Sequence, residues 1–453
     1  MKILLIEPAK SPSTIGGEDI FLYEPLALEY LAAGLSPEHD TRILDLRLDS
    51  NLDRALADFQ PDVVGITAYT VHVNPVRALF EKVKIWNPDV LTVVGGHHAT
   101  LSPRDLATPF VDLIVRGEGV APLRDIVWRL QRGHGYDGIP GVCHRMDDGT
   151  VADEPAMVTD LDSLPFPRRD LTGAYRKSYF SEWMRPLASM RTSKGCPHRC
   201  NFCALWKLSD GRYLRRSPES VLEELAGIDE PYVFFADDES LYDTQRMRRL
   251  AELIRSSGLR KRFFLYARSD TIVRAPDLLE AWREVGLERV FVGLEFFSDR
   301  DLDYVSKGST IADNERAVAL LKSLDIEIYA SFIVRPDFTR EDFGAFQEYV
   351  RSLKLNFVSF SVLTPLPGTD LYEEVKDRLI DRDFDHFDFI HTLLPTALPL
   401  KQFYEQYYRL YTHALPLQCR LTILRKIPLR DLPALQVRSA RLLRRLRTAY
   451  RDY

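Results

Sequence analysis

Three cysteines within eight residues, Cys196, Cys200 and Cys203, form the densest group of reactive side chains in the sequence. Thiolates so spaced suit an iron–sulfur cluster or zinc. A closed structural zinc site wants four ligands, usually as two pairs separated by a dozen or more residues. Here three share one tight loop, Gly195-Cys196-Pro197-His198-Arg199-Cys200-Asn201-Phe202-Cys203, while Cys143 and Cys419 are far away in sequence. Such a loop can ligate three irons of a cubane and leave the fourth iron free. Five cysteines distributed in this way over 453 residues argue against a disulfide framework. A non-enzymatic module with zinc on these cysteines is the alternative from another class.

Other groups with chemical potential follow apolar runs. Asp237, Asp238 and Glu239 close Phe234-Phe235-Ala236, Arg268 closes Tyr266-Ala267, and Glu295 closes Gly293-Leu294. Each acid also fits a strand-end turn or a helix cap, and Arg268 also fits a surface ion pair. Small and polar residues end the earlier runs: Gly16-Gly17, Thr67-Ala68-Tyr69-Thr70, Gly95-Gly96-His97-His98-Ala99-Thr100 and Gly117-Glu118-Gly119. Glycines there would let backbone approach a flat ligand closely.

The elements that must position these groups alternate. Strand-like runs at Ile3–Ile6, Thr41–Leu44, Val63–Thr67, Leu91–Gly95 and Leu113–Arg116 are separated by helical patterns at Pro25–Leu35, Leu52–Phe59, Val73–Trp86 and Ala121–Arg132. That order predicts a Rossmann-like, doubly wound parallel sheet over residues 1–150, with its ligand beyond the carboxyl ends of the strands. Residues 151–185, rich in Pro, Asp and Arg, read as a linker. Six further strand–helix units, starting at Pro186–Met190 and ending at Asn356–Phe360, predict a partial (β/α)6 TIM-type barrel over 186–370, with its site on the loops after the strands. Residues 371–453 read as mostly helical.

Composition bounds the rest. The net charge of −6 argues against a nucleic-acid partner, and no apolar run approaches the roughly 20 residues of a membrane span. With no signal-peptide pattern at Met1-Lys2, a cytoplasmic location is expected. From Arg420 to Tyr453 there are ten Lys or Arg against two Asp. Such a leucine-rich, basic ending can rest on an anionic membrane at the inner face or on a protein partner; equally, Leu435, Leu442, Leu443 and Leu446 can pack against the barrel.

The cysteine loop, with Phe202 before its last cysteine and a strand before its first, resembles the radical S-adenosylmethionine (SAM) superfamily. The resemblance implies a [4Fe–4S] cluster on Cys196, Cys200 and Cys203, whose free iron binds SAM and whose electron yields a 5′-deoxyadenosyl radical. Further positions carried over as SAM-binding are Phe202, Asp237, Asp238, Glu239, Arg268, Glu295, Pro365 and Leu366, the last two in Leu363-Thr364-Pro365-Leu366-Pro367-Gly368-Thr369. Phe296 departs from the family's Gly-x-Glu-Ser, and Arg335-Pro336 from its Gly-x-Pro. No general base is needed for hydrogen abstraction, so no acid–base residue is assigned.

A doubly wound domain ahead of such a barrel resembles the cobalamin-binding subgroup. The resemblance implies corrin contacts from the four loops at Gly16-Gly17, Thr67–Thr70, Gly95–Thr100 and Gly117–Gly119. The Asp-x-His-x-x-Gly motif that supplies a lower-face histidine in other cobalamin domains is missing, so cobalamin without a protein histidine ligand is expected. The nearest branch is that of the anaerobic magnesium-protoporphyrin ester cyclase and the phosphorus- and carbon-methylating enzymes. Within it, Leu393–Leu400 and the basic ending resemble the hopanoid C-3 methylases. The expectation is a methyltransferase acting on an unactivated carbon of a lipid-like or other apolar small molecule, supplied with electrons by a carrier such as flavodoxin or ferredoxin. A radical cyclase or rearrangement enzyme is the alternative.

Overall fold

The computed structural model describes residues 1–17, 21–144, 154–416, 419 and 432–453. Five strands of the first sheet are parallel: β1 (Lys2–Glu7), β2 (Asp40–Asp45), β3 (Val63–Thr67), β4 (Leu91–Gly95) and β5 (Leu113–Val115). A sixth, β6 (Val142–His144), adds antiparallel to the β5 edge, giving the order β2-β1-β3-β4-β5-β6. Three residues carry too little pattern to announce β6 in the sequence. Because helices cover both faces, the strands are apolar throughout rather than alternating. Ile3, Leu5, Val63 and Val93 face the helices Leu26–Ala33 and Val120–Gln131, whereas Leu4, Ile6, Val64 and Val94 face Leu52–Phe59 and Val73–Trp86.

The second sheet follows chain order without interruption: β7 (Leu187–Met190), β8 (Tyr232–Phe235), β9 (Arg262–Ala267), β10 (Leu287–Glu295), β11 (Glu327–Val334) and β12 (Phe357–Val362) are all parallel, with β7 and β12 as free edges. It is the partial six-stranded barrel the sequence predicts. Its inner wall is aromatic, with Phe234, Phe264, Tyr329 and Phe357 gathered around the fully buried Arg289. Arg289 pairs with Glu182, so its charge is not left alone in that surrounding.

The stretch between the sheets is irregular, yet it is pinned to both. Phe180–Ser181 pairs with Phe21–Leu22, Tyr179 is fully buried, and its hydroxyl donates to Asp45. Arg169 joins Glu24 to Glu224, and Arg176 joins Glu24 to Glu230. Burial and the neighbouring Glu29 push the Glu24 carboxyl up despite these cations.

After the barrel, the helix Leu400–His413 lays Phe403, Tyr404 and Tyr407 into the core, and Tyr407 and Tyr411 both donate to the Phe360 carbonyl. The helix Leu432–Thr448 packs on it. Leu446 is fully buried and Leu442 and Leu443 lie against the barrel core, so these leucines face protein. Arg420–Asp431 and the side chain of Leu435 lie outside the described residues. Among the described residues, no helix is long and apolar enough to cross a membrane.

Candidate cofactor site

The cysteine loop is gripped by side chains from four directions. Asp237, just past β8, accepts from the Thr192 and Ser193 amides at 2.7 and 2.8 Å and from the Thr192 hydroxyl. Its neighbour Asp238 accepts from the Gly195 amide at 2.6 Å. Gly195 sits at φ +90°, and a Cβ there would come 2.0 Å from the Arg212 carbonyl oxygen, so only glycine fits. Asn201 donates from its amide to the Val305 carbonyl and from Nδ2 to the Tyr304 carbonyl, while its own carbonyl accepts from Leu371. Trp206 Nε1 donates to the Cys200 carbonyl at 3.0 Å.

Cys200 is buried, Cys196 and Cys203 are half-buried, and none of the five cysteines is in a disulfide. Burial pushes the Cys196 thiol up to about 11 and that of Cys203 up to about 12, so neither ionises on its own near neutral pH. Three soft donors in one fixed loop are the donor set of an iron–sulfur cluster. Among the described residues, no three His, Cys, Asp or Glu side chains converge on one ion. A cubane held by one cysteine per iron does not require such convergence.

Behind the loop lies a buried polar row. Arg268 places Nη1 3.8 Å from Cys200 Sγ and Nε 2.9 Å from Asp270, and its Nη2 donates to the Lys307 carbonyl. Glu239 accepts from the Arg268 and Leu241 amides, and burial pushes its carboxyl up to about 7. Glu295 stands at φ +63° on a bulge of β10 and receives Lys307 Nζ at 2.6 Å. Burial lowers the Lys307 ammonium, but the charge and hydrogen bond of Glu295, with Cys200 nearby, together bring the net shift upward. A Cβ on Gly293 would meet Glu295 Oε1 at 2.4 Å, which is the physical content of the Gly-Leu-Glu pattern. Phe202 packs against the barrel core, Pro365 is buried, and the Leu366 carbonyl accepts from Thr369.

A cavity of about 330 Å³ opens between the carboxyl ends of the first sheet and the top of the barrel. Of the residues expected to meet a corrin, it is lined by Thr67, Tyr69, Gly95, Gly96, His97, Thr100 and the Gly117-Glu118-Gly119 turn; Gly16, Gly17, Ala68, Thr70, His98 and Ala99 stand outside the lining. The cavity continues as an apolar slot between the sheet and the helix Leu26–Ala33, past Leu5, Leu28, Leu31, Gly65 and Val93. From the barrel side come Arg191, Ser193, Lys194, Leu205, Ala236 and Asp238. One space therefore touches both the sheet loops and the residues leading into the cysteines.

Tyr69 and His97 meet edge-to-face at 4.8 Å. Tyr69 and His97 both expose much of their surface, but into the cavity, whose walls desolvate them and so raise the Tyr69 phenol and lower the His97 imidazole. Gly96 at φ +104° brings a potential Cβ within 2.7 Å of the Ala68 amide. Behind the rings, His98 Nδ1 lies 3.2 Å from Thr70 Oγ1 and Nε2 lies 3.1 Å from Asp105, so His98 is occupied within the protein. Glu118 reaches across to Arg191 and Lys194 at 3.5 and 3.2 Å, and Arg191 Nη2 is buried without a protein partner. This orphan donor and the slot fit a large ligand rich in amide acceptors.

Sequence reasoning missed Lys307, Arg191 and Lys194, and it predicted the helix at Pro25–Leu35 without placing it beside the cavity. Only Arg191 and Lys194 carried a signal, since both stand directly before the cysteine loop.

The chain matches the B12-binding domain over residues 13–127 and the Radical SAM superfamily over residues 190–350. It is 33% identical to the hopanoid C-3 methylase of Methylococcus capsulatus over 412 residues, covering 89% of this chain and 78% of that protein. It is 28% identical to the anaerobic magnesium-protoporphyrin IX monomethyl ester cyclase of Rubrivivax gelatinosus, covering 88% and 74%. Among solved structures it superposes on the cobalamin-dependent SAM radical enzyme OxsB with aqua-cobalamin and SAM bound. There the TM-score is 0.72 at 18% identity, over 90% of this chain and 65% of that longer one.

Proposed function

The chain belongs to the cobalamin-binding radical SAM enzymes, and from that premise we propose that it methylates an unactivated carbon of an apolar, lipid-like small molecule. When bound, the cluster with SAM supplies a carbon radical that takes hydrogen from such a carbon, and the corrinoid supplies the methyl group. The observation that carries the reading is the single cavity shared by the sheet loops and the approach to the cysteines. Proximity of that kind keeps a reactive radical away from water and sets its target.

In this reading Cys196, Cys200 and Cys203 hold the cluster. Arg268 donates towards Cys200 and stabilises its negative charge. Asp237 and Asp238 hold the loop backbone in place, with Asp238 also facing the cavity. Glu239, Glu295, Phe202, Pro365 and Leu366 surround SAM. The turns Thr67–Tyr69, Gly95–Thr100 and Gly117–Gly119, with the apolar slot beside Leu28 and Leu31, would hold the corrinoid. His97, whose imidazole is held low, would stand beside the corrinoid as a neutral ring.

The apolar substrate is supported by the likeness to the hopanoid methylase. An electron carrier of low potential completes the system, in the cytoplasm. Contact with the inner membrane face does not fall to Leu442, Leu443 or Leu446, which face the barrel. The likeness to the cyclase favours a second reading, radical cyclisation with the same cofactors.

The test is anaerobic reconstitution with iron, sulfide and hydroxocobalamin, followed by incubation with reductant, methyl-labelled SAM and membrane-lipid extracts. The methyltransferase reading expects 5′-deoxyadenosine and a labelled product heavier by one methylene. Product without label selects the cyclase, and zinc in place of iron with no SAM cleavage overturns both.

A further inference from the structure

The two matched regions stop at residues 127 and 350, well before the segment Asp381–Thr392. That segment leaves the barrel and returns to the first domain. There the Asp388 carboxylate accepts from the Ile15 amide at 2.7 Å and from the Ile390 and His391 amides at 2.9 Å. Ser13 donates to the Asp385 carboxylate and Thr14 to its carbonyl. Asn74 Nδ2 reaches Asp383 and Asp385 at 2.8 and 3.1 Å. The Phe384 ring meets His98 edge-on at 5.4 Å and lies under the Arg77 guanidinium.

The segment is itself locked from the far end of the chain. His391, fully buried, bridges Asp388 at 2.9 Å and Asp452 at 3.0 Å. The Tyr453 hydroxyl donates to the Thr392 carbonyl, and Arg445 donates to the Pro12 and Ser13 carbonyls at 2.6 Å each. Three loops of the first domain are thus tied to one strap. The residues it touches, Asn74 and His98, lie just behind Tyr69 and His97, the two rings that stand in the cavity.

Resting on the corrin reading of that cavity, we infer that the 381–392 strap is the positioning element of the cavity floor, with Asp388 and Phe384 as its positioning residues. Asp388 sets the first loop through Ile15. Phe384 backs the His98–Thr70 pair, and through it the two rings. Side chains one layer behind a bound group commonly change its affinity by roughly 10- to 100-fold, because they fix the orientation of the groups that touch it. Plain packing of a carboxyl-terminal appendage would instead change overall stability and leave the loops and the cavity alone.

The test uses the full chain with its cluster and hydroxocobalamin as the probe. Asp388→Asn keeps the shape but sets an amide donor against amide donors, and Phe384→Ala removes the ring. Phe384→Ala is expected to bind hydroxocobalamin roughly tenfold more weakly, with iron, sulfide and SAM binding unchanged, whereas Asp388→Asn, whose loop 13–17 stands outside the lining, is read chiefly by loop exchange. A second measurement needs no corrinoid. In the apo chain, amide hydrogen exchange over 13–17, 69–74 and 97–101 is expected to rise roughly fivefold in Asp388→Asn while 195–203 stays as in the parent. Faster exchange confined to the strap, or rising uniformly through the chain, overturns the inference, as does unchanged corrinoid affinity in Phe384→Ala. A parent chain that takes up no corrinoid but whose loops loosen as expected removes the corrin reading of the cavity and keeps the strap's hold on the loops.

Discussion

At the cysteine loop the backbone is fixed by side chains: Asp237, Asp238, Asn201 and Trp206 each hold a named amide or carbonyl, and all four belong to the barrel or the loop itself. At the sheet loops the backbone is shaped by glycines at φ near +100°, such as Gly96, and one cavity-lining side chain, Thr100, bonds the Gly96 carbonyl and the Gly117 amide. Further support comes from behind, from a segment more than 280 residues away in the chain, through Asp388, Asp385 and Phe384. A small inorganic cluster needs donors fixed at a few points, and local bonds suffice. A wide, flat macrocycle needs an open floor, so one local side chain is joined by rigidity brought in from outside. The two sites should therefore fail independently.

The largest expected effect breaks one site and spares the other. Cys200→Ser removes one of three thiolates, and iron content, visible absorbance and SAM cleavage should fall to background. Hydroxocobalamin uptake should change by less than about twofold, since well-separated sites behave additively. Loss of corrinoid in step with iron would mean that the two sites are one cooperative unit.

Next in size is Lys307→Ala, which leaves the Glu295 carboxylate buried and unpaired. Both partners are under a tenth exposed. Breaking such a pair costs roughly 3–5 kcal/mol, and Lys307→Met with Glu295→Gln together should recover most of that. Urea unfolding with iron and corrinoid content followed in parallel checks it. The comparison predicts loss of the cluster well before loss of hydroxocobalamin binding.

A matched pair of glycine substitutions sharpens the contrast. Gly195→Ala meets a carbonyl oxygen at 2.0 Å and Gly96→Ala an amide nitrogen at 2.7 Å, each at positive φ. Each should cost about 1–3 kcal/mol. Gly195→Ala should lower cluster loading with corrinoid affinity intact, and Gly96→Ala should do the reverse. Equal losses in both variants would remove the distinction between the two modes of support.

What the sequence made legible follows the same division. The cysteine loop and the parallel strands were readable because their signals are local: spacing within eight residues, and continuous apolar runs in strands covered on both faces. Adjacent carboxylates were not separable by pattern; only the fold sends Asp237 to Thr192 and Ser193 and Asp238 to Gly195. Lys307 was invisible because its partner lies twelve residues back across a turn. The strap was invisible because its bonds link residues 13–15 to 385–388, a separation that carries no periodic signal. Leucines spaced along the last helix were legible as an amphipathic face, but which surface covers that face is a tertiary fact.

The smallest effect concerns the strap's own charges. His386 Nδ1 is bonded to Asp381; that bond outweighs burial, and with Asp383 and Asp388 nearby it raises the imidazole above its usual range. Burial would raise Asp381, but the bonds from His386 and the Asp383 amide bring its carboxyl below the ordinary value. His391 is stacked on His386 at 4.1 Å and the Tyr453 ring lies 6.2 Å away, completing the surroundings. The raised imidazole contributes stability fully below its unfolded pKa and loses it as pH climbs through the folded value. The lowered carboxyl contributes above its unfolded pKa and loses it as pH falls through its depressed value. The strap should hold tightest between about pH 4 and 6.5 and loosen gently above, by a small factor because this is one ion pair among several uncharged bonds that hold the strap. Exchange of the 13–17 amides, corrected for intrinsic rate, should rise from roughly pH 6 to 8 in the parent and stay level in His386→Ala. A parent profile as flat as the variant's would leave the strap held by Asp388 and Phe384 alone.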